Sequence, residues 1–359
     1  MTSLTQHYTE EKNRFLETCT KCGLCIRDCP ITRHTSLDGI KPKEIQGAII
    51  TFLQEGTHSQ LAYTRAFSCM ECFKCNTLCP QDLKPMLINE MVRRDWESPK
   101  IDLSTPSLPV EEPSVQEVVG SIQISTEDQA RIFTPKDKQR AQFVFFPGCN
   151  VYLQPNLLLN ALDLIELITE DYAFIPGLID CCGDNYLFDG DFEGAESHAT
   201  TLLEKIRSYE PETVIFWCAT CQVRFETVYA DFMELPFKIV SLSQFLLERK
   251  DQLPQKRHAA PQTVTLHEAC KSGFTGVDQD SVRRLLQELS GINLVEMPRH
   301  GKNAACCGSG ASAFFPDSFQ AVREERLLEA VNTGADTLVD VCHFCHNTFA
   351  TAEQTHGLQ

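Results

Sequence analysis

All eighteen cysteines of this 359-residue chain fall into four blocks, and no thiol is left outside them. Two blocks are C-x2-C-x2-C-x3-C-P runs, Cys19, Cys22, Cys25, Cys29 before Pro30, and Cys69, Cys72, Cys75, Cys79 before Pro80. In such a run three thiolates close on one [4Fe–4S] cube from a turn-rich loop, and the fourth reaches the neighbouring cube when two runs are present. The expected ligand sets are therefore Cys19, Cys22, Cys25 with Cys79, and Cys69, Cys72, Cys75 with Cys29. Pro30 and Pro80 turn the chain away after the crossing ligand, and Gly23 suits a backbone that approaches sulfur closely. Zinc would favour paired C-x2-C knuckles separated by longer loops, which two complete runs of four are not.

The other two blocks follow the pattern C…CCG…C-x2-C: Cys149, Cys181, Cys182, Cys218, Cys221, and Cys270, Cys306, Cys307, Cys342, Cys345. Adjacent cysteines in a strand point apart, but a following glycine (Gly183, Gly308) lets both face one metal from a tight turn. Each block offers five thiolates, one more than a cubane needs. That excess means a non-cubane cluster, or a cubane with a reserve thiol. A zinc site with a spare cysteine, or thioredoxin-like C-x2-C pairs, would not explain why the CC-Gly loop recurs.

The length suggests two or three domains, and 42% hydrophobic with 23% charged residues describes a globular chain. No charged segment followed by an apolar core opens the sequence, so no secretory signal is expected. The longest apolar run, residues 157–168, contains Asp163 and Glu166 and is too short to span a bilayer. The expected compartment is cytoplasmic, with attachment to the inner face of the membrane only through a partner; there, clustered thiols read as metal sites rather than disulfides. The formal charge of −17 is uneven: residues 1–97 are neutral, 98–140 carry −2 and the remainder −15. That distribution argues against nucleic acid, which requires a basic footprint.

Residues 1–97 read as a small helical domain, with helical signal at 10–16, 42–53 and 85–96. Residues 98–140 turn polar, with Pro99, Pro106, Pro109, Pro113 and Pro135, and read as a linker or wrapping arm. The sequence then repeats. Strands at 142–146 and 263–266 run into Cys149 and Cys270, and strands at 213–216 and 337–339 run into the C-x2-C pairs. Helices read at 155–169, 193–209, 281–289 and 318–331. Corresponding cysteines are separated by 121 to 125 residues, so 141–258 and 259–359 are two copies of one α/β unit. Strand–helix alternation implies parallel sheets with sites outside the carboxyl ends of their strands, although the strand order is not readable. The expected fold class is α + α/β: a helical dicluster ferredoxin domain followed by two tandem α/β domains.

This arrangement resembles the D-type polypeptides of the heterodisulfide reductase family, which look like a small ferredoxin-type component fused to a larger cysteine-rich one. The resemblance rests on the runs at 19–29 and 69–79 and both CCG blocks, and it covers nearly the whole chain outside 98–140. It implies that the CCG blocks bind one or two non-cubane [4Fe–4S] clusters that cleave a disulfide by successive one-electron steps, beside two [4Fe–4S] cubanes. It also implies a flavoprotein, hydrogenase or membrane cytochrome subunit as electron partner, and a small thiol or disulfide, or a quinone-linked acceptor, at the other end. The same modules are similar to iron–sulfur subunits of anaerobic glycerol-3-phosphate, glycolate and lactate dehydrogenases, which only relay electrons towards quinone. Two complete five-cysteine blocks favour the disulfide reading.

Several side chains near the cysteines invite roles. His267, His343 and His346 could donate to cluster sulfur, replace a thiolate, protonate a departing thiolate, or do none of these. Arg299, His300, Lys302 and Lys271 could hold anionic substrate groups or offset cluster charge. Their position near the second block makes Cys270, Cys306, Cys307, Cys342 and Cys345 the expected reactive set. Trp217 and Phe344 read as apolar shielding. With no Walker lysine and no G-x-G-x-x-G after a strand, flavin and nicotinamide are expected on partner chains.

Overall fold

The computed structural model describes residues 3–96, 114–136, 138–253 and 261–356. Pro99, Pro106, Pro109 and Pro113 of the expected linker, and the expected boundary at 258/259, lie outside the described residues.

The N-terminal module is framed by the helices Leu4–Thr18, Pro42–Glu55, Gln60–Phe67 and Pro85–Asp95, and the cysteine runs lie between them in turns and two short helices, Leu24–Arg27 and Lys74–Thr77. Local chemistry fixes their starts. The Ser3 and Ser59 hydroxyls accept the backbone N–H of Gln6 and Ala62, and Pro42 and Pro85 occupy first-turn positions where no N–H is needed. Ile45, Ile49, Ile50 and Leu53 then fall on one buried stripe of the second helix.

Each cysteine-rich module is built on a parallel sheet. The first contains β1 (Phe143–Phe146), β2 (Tyr172–Phe174), β3 (Thr213–Phe216) and β4 (Lys238–Ser241), in the order β2-β1-β3-β4. The second contains β5 (Gln262–His267), β6 (Ile292–Leu294) and β7 (Thr337–Asp340), in the order β6-β5-β7. The sequence reading found β1, β3, β5 and β7 and missed β2, β4 and β6. β2 and β6 are only three residues long, and β4 has just two apolar residues, Ile239 and Val240, between Lys238 and Ser241. β1 is buried along its whole length because both faces are covered. Val144, Phe146, Val214 and Phe216 join a core continuous with the helical module, while Phe143, Phe145, Phe174, Ile215 and Val240 form a second core on the other face.

Residues 114–136 are packed structure, which corrects their reading as a linker. They form helices Val115–Gln123 and Thr126–Phe133, capped by the Ser114 and Ser125 hydroxyls. Ile132 is fully buried in the second core of the first sheet, and its carbonyl accepts the Tyr152 hydroxyl at 2.8 Å. The prolines of 98–113 drew the reading towards a linker; the amphipathic helices after them were diluted by polar neighbours.

The strand order decides where the cysteines meet. In the first sheet the chain departs to opposite sides of β1, so the crevice at the β1/β3 carboxyl ends receives Cys149, Cys218 and Cys221. The β5/β7 pair does the same for Cys270, Cys342 and Cys345.

Candidate functional site

The two ferredoxin runs exchange their fourth thiols. Cys19, Cys22, Cys25 and Cys79 line one small void, and Cys29, Cys69, Cys72 and Cys75 line another. Cys22 is exposed, with Cys19 and Cys79 half-buried, so the first void lies near solvent. Cys69, Cys72 and Cys75 are buried. Arg65, itself buried, donates from Nη1 to Cys29 Sγ at 3.3 Å, and Asn89 donates to Cys69 Sγ at 3.3 Å. Burial pushes the Cys25 thiol up to about 11 and drives Cys69 and Cys75 up as well. Thiolates in this environment form only beside compensating positive charge, which bound iron would supply and Arg65 supports.

Gly23 lines the first void beside the cysteines; it takes φ +77°, and a Cβ there would also meet Pro42 Cβ at 2.5 Å, at the start of a helix. The matching residue of the second run, Phe73, adopts φ 65° with a side chain, held under the Arg224 guanidinium.

The CCG loops need their glycines for a sharper reason. Gly183 and Gly308 take φ +81° and +91°, which turns both preceding cysteines inward, and a Cβ at Gly183 would lie 2.6 Å from Ala195 O. In the first block, hydrogen bonds from Cys181 and Cys221 hold the Cys182 thiol down to about 5, against the effect of its burial. In the second block Cys270 and Cys306 Sγ lie 3.6 Å apart, and Cys345 and Cys307 Sγ 3.2 Å apart. Both sets therefore gather sulfurs from distant chain segments, a donor set suited to an iron–sulfur cluster.

A cavity of ≈ 450 Å³ opens between the three modules. Cys270, Cys306, Cys307, Cys342 and Cys345 all line it, and of the first block Cys149 does. Met70, Phe188 and Phe344 supply apolar wall. Burial pushes the Cys72 thiol well up, and neighbouring Cys306 adds to the effect, so the buried ferredoxin set abuts the second CCG set.

The charged lining was not legible in the sequence, except for Lys271. Lys271 Nζ lies 3.2 Å from Asp184 and 3.6 Å from Glu71, on the cavity wall. Behind them Arg224, fully buried, reaches Glu71 at 2.8 Å, Glu90 at 2.6 Å and also Asp184; Arg93 pairs with Glu71 at 2.7 Å. Burial would raise Asp184, but Lys271 and Arg224 hold it down at about 2. Burial raises Glu90 to about 7 despite Arg224. These residues come from all three modules.

The other expected basic residues are elsewhere. Arg299 is held by Glu325 at 2.7 Å and Glu329 at 2.6 Å, His300 Nδ1 lies on Met297 O at 2.6 Å, and neither they nor Lys302 line the cavity. Arg299 is drawn away because its carboxylate partners sit on the helix Pro316–Val331, which sequence separation concealed. The three histidines diverge. His346 pairs with Asp340 at 3.2 Å. His343, from the second module, packs edge-on against Trp217 of the first, and it adds to the hydrogen bond from Cys221 that lowers the Cys218 thiol against its burial. His267 is fully buried, with a ring nitrogen and the Sγ atoms of Cys307 and Cys345 all within 4.8 Å of one another.

Residues 15–83 match the 4Fe-4S dicluster domain family, and residues 143–226 and 264–350 each match the Cysteine-rich domain family. Over 95% of this chain and 90% of the relative, the chain is 24% identical to the D component of the dihydromethanophenazine:CoB–CoM heterodisulfide reductase of Methanosarcina acetivorans. The component of the same name from Methanosarcina barkeri is 24% identical over the same shares. A stretch of 79 residues, 22% of this chain and 29% of the relative, is 30% identical to the C component of the ferredoxin:CoB-CoM heterodisulfide reductase of Methanosarcina acetivorans.

Proposed function

We propose that this chain, an iron–sulfur oxidoreductase subunit joining a 4Fe-4S dicluster domain to two CCG cysteine-rich domains, carries electrons to a disulfide and reduces it to two thiols, or runs the reverse reaction. Two cubanes would be held by Cys19, Cys22, Cys25, Cys79 and by Cys69, Cys72, Cys75, Cys29, and non-cubane clusters by one or both CCG blocks. Bound there, the clusters supply one-electron transfer. The overall change consumes two electrons and two protons, breaks one S–S bond and forms two S–H bonds. The electrons would come from a flavoprotein, hydrogenase or membrane cytochrome subunit docking near exposed Cys22. Among the described residues no helix is long and apolar enough to cross a membrane.

The single observation that carries this reading is the ≈ 450 Å³ cavity onto which all five cysteines of the second block open. A relay insulates its terminal centre; a reductase must admit substrate to it. Apolar Met70, Phe188 and Phe344 would exclude water, and Lys271, held by Asp184 and Glu71, would face the substrate as the one cation among the described lining residues. The relay alternative is accordingly not favoured. The test is electron paramagnetic resonance of the oxidised, anaerobically prepared protein with added thiol. A thiol-dependent paramagnetic species is expected, abolished by Cys307→Ala. Absence of that species with cubane signals intact would leave the chain a conduit.

A further inference from the structure

The two CCG modules are repeats, yet they differ at the strand end that feeds each cysteine set. His267 closes β5 three residues before Cys270; Phe146 closes β1 three residues before Cys149. The paired residue on the neighbouring strand differs too: His267 registers with Asp340, Phe146 with Phe216.

The hydrogen bonding of His267 fixes its proton. Arg326 Nε donates to His267 Nδ1 at 2.9 Å. A guanidinium has no acceptor, so Nδ1 must present a lone pair, and the proton of the imidazole is on Nε2. The arrangement is rigid: Arg326 is buried, with Nη1 donating to Glu329 at 2.7 Å and to Arg299 O at 2.9 Å, and Phe349 packs edge-on against the imidazole ring. Nε2 is buried and has no partner in the protein, while a ring nitrogen lies within 4.8 Å of Cys307 and Cys345 Sγ. Arg326 takes Nδ1, so Nε2 is the nitrogen left to serve those sulfurs. A buried N–H without an acceptor is costly; a thiolate or sulfide of a cluster satisfies it.

We propose that His267 acts on the second CCG centre as a fixed Nε2–H donor to sulfur, not as an iron ligand, and that this raises the potential of the second centre. The inference rests on the second CCG block holding an iron–sulfur centre. An N–H···S bond stabilises the more negative, reduced state and so raises the potential. Phe146 offers no such bond at the equivalent place in the first module. His267 is a positioning and tuning residue, distinct from the ligands.

The test uses the full-length protein loaded anaerobically, with redox titrations followed by electron paramagnetic resonance. His267→Phe, which copies the first module, should retain full iron while the second centre becomes harder to reduce. At fixed poise its ratio of reduced to oxidised centre should fall about tenfold, equivalent to about 59 mV for one electron. His267→Gln, which keeps an N–H donor, should recover most of that shift. An unchanged midpoint in His267→Phe, or loss of iron from an otherwise folded variant, would overturn the assignment. Should the variant not fold, wild-type protein labelled with 15N-histidine decides. Weak nitrogen coupling with an exchangeable proton supports the donor, and strong coupling of a directly bonded nitrogen refutes it. Wild-type protein with no iron in the second block would instead remove the functional reading beneath the inference, an outcome that iron analysis separates from the others.

Discussion

Replacing Arg224 with methionine should test the buried charge network that ties the three modules together. Arg224 is the shared partner of Glu71, Glu90 and Asp184, and it is fully buried. Its loss does not affect the three carboxylates equally. Glu71 keeps Arg93 at 2.7 Å and Asp184 keeps Lys271 at 3.2 Å, but among the described residues Glu90 is left with the Tyr8 hydroxyl alone, at 2.6 Å. Removing one partner of a buried pair costs about 3–5 kcal/mol. The pH dependence follows from Glu90, whose folded pKa is raised from 4.5 to about 7. A raised carboxyl favours the folded state fully below its unfolded pKa, and that contribution is lost as pH rises through the folded value. In the wild type the loss is nearly complete just above pH 7. In the variant the folded pKa moves higher still, so Glu90 stays protonated at pH 8 and continues to cost stability. At 1.36 kcal/mol per unit, the variant's deficit should grow by about 1 kcal/mol between pH 6 and pH 8. Urea midpoints of the anaerobic protein at the two pH values, followed by far-UV ellipticity, measure it. A deficit below about 1 kcal/mol at both pH values, judged against the ordinary cost of breaking a buried pair, would refute the view that this network joins the modules. A deficit independent of pH would refute the role given to Glu90.

Two further pairs of substitutions address the clusters. If the runs exchange their fourth ligands, Cys29→Ser should alter the spectrum and potential of the cubane held by Cys69, Cys72 and Cys75, while Cys79→Ser alters the one held by Cys19, Cys22 and Cys25; iron content and electron paramagnetic resonance of each variant give the answer. Gly183→Ala should displace Cys181 and Cys182 and lower stability by about 1–3 kcal/mol through backbone strain. Gly308→Ala should do less damage, because its Cβ would find its nearest neighbour at 3.2 Å rather than 2.6 Å; thermal unfolding and iron retention compare the two.

Legibility followed the range of the interaction. The helices after Lys41 and Lys84, the strands β1, β3, β5 and β7 and the tandem repeat could all be read, because each is written in contiguous residues or in a fixed offset. The short strands β2, β4 and β6 and the helices of 115–133 could not be read, because their apolar pattern is completed by residues far away in the chain. Near the site, Lys271 was found for its place beside Cys270. Arg65, Asn89, Asp184, Arg224 and Arg326 carried no signal, since a buried charge is identified by its partner and not by its neighbours in sequence.

The sequence alone determined the chemistry. The eight thiols of the two ferredoxin runs specify iron and sulfide because their ligand spacing is a local property, and the ten of the CCG blocks announce themselves by recurring at a nearly fixed offset. Only the tertiary structure decided the hierarchy among the sites: which set is solvent-near, which abuts the next, which opens onto a cavity, and which histidine has its proton fixed by an arginine. The physical reason is that potential, access and protonation depend on burial and on partners brought together across the fold, and strand order at the two sheets is what brings them together.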